Sequence, residues 1–277
     1  MTTELTSVRS PRVAAARRLG KRAFREADGR FLAEGPQAVR EALAGHVATG
    51  GVVTEVFVTT AAAQRLADLV RDAEGADVPV VRVSGEVMSG IAQTVTPQGI
   101  AAICVLPRVR LPEVLAARPR LVVVLAAVRD PGNAGTVIRT ADAAGADAVI
   151  LTEGSVDVYN GKAVRASAGS LFHLPVVSAA SPAQLPDALH AGGLRILAAD
   201  AAGAHDLDDL LDAGALSGPT AWLFGNEAWG LPPEARALAD DVVRVPIRGR
   251  AESLNLATAA AVCLYASARA HRPRPSP

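Results

Sequence analysis

The sequence predicts an α/β protein built on a mostly parallel sheet, and three observations carry that expectation. Short apolar, β-branched runs alternate with helix-like stretches along nearly the whole chain, the pattern of strands joined by crossover helices. Some of those runs, such as residues 121–128, are apolar throughout rather than alternating, as strands covered on both faces must be. Apolar residues fill 50% of the 277 positions but aromatics only 3%, so Ala, Val, Leu and Ile have to build the core.

Taken in order, residues 12–24 read as a short basic helix and residues 31–35 as a strand running into a turn. Pro36 opens a helix over 37–44, because proline at the first helical position forfeits no intrahelical bond. Strands follow at 52–59, 78–83 and 99–106, with a helix at 64–73. These elements make a small α/β domain over residues 1–106. Pro107, Pro112 and Pro119 then punctuate an Arg-rich stretch, the expected linker over 107–119. A second domain over 120–277 repeats the alternation, with strands at 121–127, 148–151, 194–198, 220–224 and 242–245. Its helices are expected at 135–144 and 254–268. Only the terminal PRPSP reads as disordered.

Whole classes of protein are excluded. No apolar run approaches the roughly 20 residues of a membrane helix, and MTTELTSVRSPR has an acid and no apolar core of a signal peptide. Cys104 and Cys263 stand far apart without metal-ligand spacing, so neither a disulfide framework nor a metal site is expected, and the reading is cytoplasmic. Net charge is zero, yet unevenly spread. Between Val8 and Arg30, eight basic residues (Arg9, Arg12, Arg17, Arg18, Lys21, Arg22, Arg25 and Arg30) face only Glu26 and Asp28. Such an arm suits a polyanion, although a solvated helix face would look the same.

In open α/β sheets ligands bind at the carboxyl ends of strands, and three loops there are rich in glycine and polar residues. They are Arg129 to Gly135, Gly225 to Pro232, and Pro246 to Asn255. Glycine lets backbone amides approach a ligand closely. A dinucleotide site is disfavoured, because the first loop lacks GxGxxG. Taken singly, Asn133 reads as a turn or cap residue, Arg139 as a solvated helix position, Glu227 as a first-turn charge, and Ser253 and Asn255 as caps of the last helix.

Together they say more. Asn133, Gly135 and Arg139 as NxGxxxR, LFGNEAWGLP at 223–232 and VPIRGRAESLNLATAAAVCLY at 245–265 closely resemble the three ordered motifs of the SpoU/TrmH family of RNA 2′-O-methyltransferases. Between them, YNGKAVRASAGSLF at 159–172 looks like the family's RASAGS segment. Residues 8–106 look more loosely like the small L30e-like substrate-binding domain that many members carry. Gly161 stands where close relatives would have proline, and Trp229 replaces a more usual small or basic residue.

The resemblance implies a SPOUT-type parallel sheet closed by a C-terminal trefoil knot, and a homodimer formed through it. It implies S-adenosylmethionine held largely by backbone groups at Leu223, Gly225, Val245, Ile247 and Leu254. Arg139 would be the central catalytic residue, with Asn133, Glu227, Ser253 and Asn255 completing the polar shell and no metal. A guanidinium is always protonated, so Arg139 is expected to hold a phosphate and favour a developing alkoxide rather than to take a proton. The substrate class is structured RNA, ribosomal (23S) in preference to tRNA. RNA contacts are expected from Arg9, Arg12, Arg17, Arg18, Lys21, Arg22, Arg25 and Arg165, in shape-directed rather than stacking recognition. The rival readings are a non-catalytic RNA-binding or ribosome-assembly protein on the same fold, and a nucleotide-binding enzyme.

Overall fold

The computed structural model describes residues 4–226 and 229–272. The chain runs α1 (Pro11–Arg18), α2 (Arg22–Asp28), β1 (Arg30–Glu34), α3 (Pro36–Thr49), β2 (Val53–Thr59), α4 (Thr60–Arg65), α5 (Ala67–Gly75), β3 (Val80–Val83), α6 (Gly85–Ile91) and β4 (Ile100–Val105). It continues through α7 (Leu111–Ala116), β5 (Leu121–Leu125), α8 (Pro131–Ala143), β6 (Ala148–Thr152), α9 (Gly161–Ser167), β7 (Val176–Ala180), α10 (Leu185–Ala191) and β8 (Arg195–Ala199). It closes with β9 (His205–Asp206), α11 (Leu207–Asp212), β10 (Thr220–Phe224), α12 (Pro233–Arg236), β11 (Asp241–Arg244) and α13 (Leu256–Ala270).

Packing divides the chain into two units. The first is Met1–Pro107 with Asp157–His173, and the second Arg108–Val156 with Leu174–Pro277. The first holds a four-stranded sheet in the order β1-β4-β2-β3, with β4 antiparallel to β1 and β2 and β3 parallel to β2. Its core gathers Val13, Leu19, Phe57, Val87, Met88 and Ile91, so α6, which no sequence pattern singles out, is a core element. The single helix expected at 12–24 is two. Gly20 weakens helical continuity, and the chain turns with Gly20 N–H on Arg17 O and Lys21 N–H on Arg18 O. Segment 157–173 packs here rather than in the second unit: Tyr159 and Phe172 flank the buried ring of Phe31 at 5.0 and 6.0 Å.

The second unit is the parallel sheet that the alternation predicts, in the order β7-β6-β5-β10-β8-β11-β9. Every pairing in it is parallel. The central strands LVVVL and TAWLF are buried at all positions, which is why they read as unbroken apolar runs. On one side Leu185 and Leu189 of α10 pack on Val124, Ile196 and Leu223; α8 packs against α13. Trp222 is fully buried, its indole N–H donating to Ser267 Oγ of α13 at 2.8 Å. The expected linker carries α7, whose Val114 joins this core. Two glycines mark tight chain passages: a Cβ on Gly203 would stand 2.5 Å from Arg244 N, and one on Gly225 2.4 Å from Gly230 C.

Candidate active site

The carboxyl ends of β5, β8, β10 and β11 share one edge of the sheet, where a parallel arrangement collects its ligand-binding loops. After β5 the chain turns through Ala127 at φ 51°, a left-handed conformation that costs a residue with a Cβ about 1–2 kcal/mol. Two bonds hold it: Ala127 N–H donates to Thr152 Oγ1 at 3.0 Å, and its carbonyl accepts from Asn226 Nδ2 at 2.8 Å. Asp130 caps α8, accepting from Asn133 N–H at 2.8 Å. The helix therefore starts four residues earlier than the sequence pattern places it, and Asn133 lies inside its first turn.

Asn255 joins two helices. Its Oδ1 caps α13 by accepting from Ala257 N–H at 2.9 Å and Thr258 N–H at 3.4 Å. With the oxygen committed to those donors, the amide nitrogen faces the other way and donates to Asn133 Oδ1 at 3.1 Å. Two residues 122 apart in sequence thus become neighbours.

Beside this junction lies a crevice of about 620 Å³ formed by the loops after β8, β10 and β11, within the roughly 300–1,000 Å³ usual for small-ligand sites. Phe224, Val243, Ile247, Leu254 and Leu256 give it apolar surface. Asp200 and Arg236 add opposite charges 3.6 Å apart. Asn226 and Gly230 are joined by reciprocal backbone bonds at 3.0 and 2.9 Å, a close passage that a Cβ at position 225 would obstruct.

Of the residues singled out by sequence, Gly225, Val245, Ile247, Ser253, Leu254 and Asn255 line the crevice, and Asn133 reaches its rim through Asn255. Leu223 is elsewhere: its side chain packs under the opposite face with Val124 and Ile196, in strand β10. Arg139 is exposed on α8 and is not among the crevice residues. Helical geometry sets it about 9 Å along the axis from Asn133 and roughly 120° around it. Glu227 lies outside the described residues. Sequence reasoning missed Asn226, Ala127 and the Asp200–Arg236 pair; the signal for Asn226 was its place just after the glycine of a strand-ending loop.

Half of the basic arm is tied to the protein's own carboxylates. Arg12 pairs with Glu55, Arg18 with Asp28, and Arg22 with Glu26, at 2.5, 2.7 and 2.6 Å. Arg25 corrects the sequence reading: 3% exposed, it donates to Asp157 and to Leu19 O, so it cannot reach an external phosphate. Arg165 lies against Glu34 at 3.2 Å. Burial pushes the Glu34 carboxyl above its usual range, opposed by Gln93 N–H and Arg165. Arg9, Arg17 and Lys21 are exposed. Among the described residues no group of His, Cys, Asp and Glu is placed to hold a metal, and no helix is long and apolar enough to cross a membrane.

Fold and site together define a parallel-sheet protein with a crevice of small-ligand size among the loops after its last strands. Residues 120–265 match the SpoU rRNA Methylase family and residues 10–102 the MRM3-like substrate binding domain; the chain belongs to the SpoU rRNA methylase family. It is 34% identical over 262 residues to the 23S rRNA (guanosine(2553)-2′-O)-methyltransferase of Bacillus subtilis strain 168, covering 95% of this chain and 98% of that one. It is similar in structure to an AdoMet-bound rRNA methyltransferase from Sinorhizobium meliloti, with a TM-score of 0.82 and 32% identity over 97% of this chain and 98% of the other. The SpoU methyltransferase AviRb from Streptomyces viridochromogenes, in complex with AdoMet, superposes with a TM-score of 0.80 and 30% identity, covering 94% and 98%.

Proposed function

We propose that this protein transfers a methyl group from S-adenosylmethionine to a ribose 2′-hydroxyl in 23S rRNA. The observation that carries the reading is the Asn133–Asn255 junction at the rim of a crevice built from the family's second and third motifs. The relatives' names favour ribosomal RNA over tRNA, and such a carrier of ordered motif residues is an enzyme rather than a passive RNA-binding protein.

The crevice fits the cofactor's chemistry. Ile247, Leu254 and Leu256 offer apolar surface to a flat adenine, and Asp200 and Arg236 answer the two charges of an amino-acid zwitterion. Backbone groups at Gly225, Val245 and Ile247 supply polar contacts. When bound, S-adenosylmethionine supplies a methyl already activated on a sulfonium. The protein must therefore hold the hydroxyl in line and help its proton depart. Asn133, Ser253 and Asn255 orient the hydroxyl, and Arg139 holds a neighbouring phosphate and steadies negative charge as it develops on oxygen. Glu227 is the proton acceptor.

The finer family features belong to the same proposal. The trefoil knot is supported by the tight passages at Gly203 and Gly225. A homodimer is supported by exposed Val262 and Tyr265, one turn apart on α13, and the setting is the cytoplasm, where ribosomal RNA is made. The first unit selects the RNA through Arg9, Arg17 and Lys21. Calorimetry tests the cofactor: S-adenosylmethionine binds and NAD does not, whereas NAD binding without S-adenosylmethionine binding overturns the reading. Tritium transfer from labelled cofactor to a 23S transcript tests the reaction.

A further inference from the structure

Next to the crevice lies a second cavity of about 440 Å³, lined in part by α10 and α12. Its walls are mostly apolar, from Ala127, Leu189, Leu223, Ala235 and Leu238. Asn226, Trp229 and Gly230 line both spaces, so the two share these three residues as a common wall. Trp229 is 60% exposed there, and the Arg129 guanidinium stands 5.2 Å from the centroid of its ring. The charged residues lining the cavity are Glu153 and Glu234, both exposed at its edge, with no cation among the lining residues.

That chemistry selects an occupant. Two carboxylates without a cation repel phosphate, while a flat, uncharged base fits apolar walls and offers edge N–H donors to carboxylates. We propose that this cavity receives the extruded base of the nucleotide whose ribose is methylated, with Trp229 as its stacking face and Arg129 meeting the adjoining phosphate. The inference rests on the methyl-transfer reading and names how that substrate is held. A ribose is bonded directly to its base, so a base seated against Trp229 leaves its 2′-hydroxyl beside the residues that also line the crevice. Seating the base fixes the ribose that carries it, which is the positioning an in-line methyl transfer needs. The exposed Trp229 then has a use, since an aromatic face stacks on any base.

Steady-state methyl transfer to an unmodified 23S transcript by the full chain tests this, with cofactor affinity read separately by calorimetry. Ala235→Trp fills the cavity from a residue that does not line the crevice. It should raise KM for the transcript about tenfold or more while the Kd for S-adenosylmethionine moves by less than about twofold. Trp229→Ala should raise the same KM, and Trp229→Phe should recover most of it. Should Ala235→Trp fail to fold, the two Trp229 variants decide, since that side chain is exposed. Unchanged KM and kcat in Trp229→Ala and in a folded Ala235→Trp overturn the base pocket and leave the methyltransferase reading standing. A wild-type protein that methylates no 23S transcript overturns that reading instead, and the pocket with it.

Discussion

In the first unit β4 runs antiparallel to both neighbours, and in the second every strand pairing is parallel. In the first unit β1, β2 and β3 run one way and β4 alone is reversed, so the carboxyl ends of its strands are divided between the two edges of the sheet. A parallel sheet gathers all of them, and here it brings Asn133, Gly225 and Asn255 together from three distant segments. Both units tie arginines to carboxylates, Arg22–Glu26 and Arg25–Asp157 in the first and Arg195–Asp241 and Arg236–Asp200 in the second, and both leave others exposed, Arg9 and Arg17 in the first and Arg139 in the second. The lesson is that a run of arginines in sequence counts charges, and only the fold says which remain available.

The largest effect expected of a single change belongs to the second unit. Arg139→Ala should lower methyl transfer about a hundred- to a thousandfold with cofactor affinity retained; near-normal turnover would remove Arg139 from the chemistry. Next comes a change confined to the first unit. Arg25→Ala leaves Asp157 partly buried without its partner, which should cost about 3–5 kcal/mol of stability in denaturant titration. A loss of RNA affinity with stability unchanged would return Arg25 to the RNA-binding set.

The joint variant Arg9→Ala, Arg17→Ala, Lys21→Ala should raise KM for RNA and lower the salt dependence of binding by about 0.7–0.9 in logarithmic slope for each phosphate no longer neutralised. An unaltered slope would mean that the arm touches no phosphate. The smallest effect is one of pH. Burial raises the Glu34 and Glu55 carboxyls above their usual range, so the folded chain binds those protons more tightly than the unfolded one. Stability from this source therefore falls as pH rises from the ordinary carboxylate range through the raised values. Glu34→Gln with Glu55→Gln should flatten that fall in melting temperature against pH; a steeper fall would reverse the sign of the argument.

How much of this was legible in the chain follows from range. The strands 220–224 and 121–125 were plain because burial on both faces writes itself as an apolar run. Short α6, α7, β7 and α12 were not, because their burial depends on partners distant in sequence. The crevice residues Gly225, Ser253 and Asn255 were legible as ordered motifs, while Asn226 was not, since its task is to hold a left-handed Ala127 that no local pattern announces. Segment 157–173 looked like part of the second domain by motif, yet its aromatics belong with Phe31. Deleting residues 1–106 would therefore strip that segment of its core, which makes point substitutions the cleaner probe of the first unit.

The central claim is chemical: the methyl group goes to a ribose oxygen. A 2′-hydroxyl is the nucleophile of alkaline RNA cleavage, so methylating it protects the following linkage. A 23S transcript incubated with the protein and labelled S-adenosylmethionine should yield its label in an alkali-resistant dinucleotide, and Asn255→Ala should diminish that product. Label recovered in ordinary mononucleotides, on a base, would contradict the account.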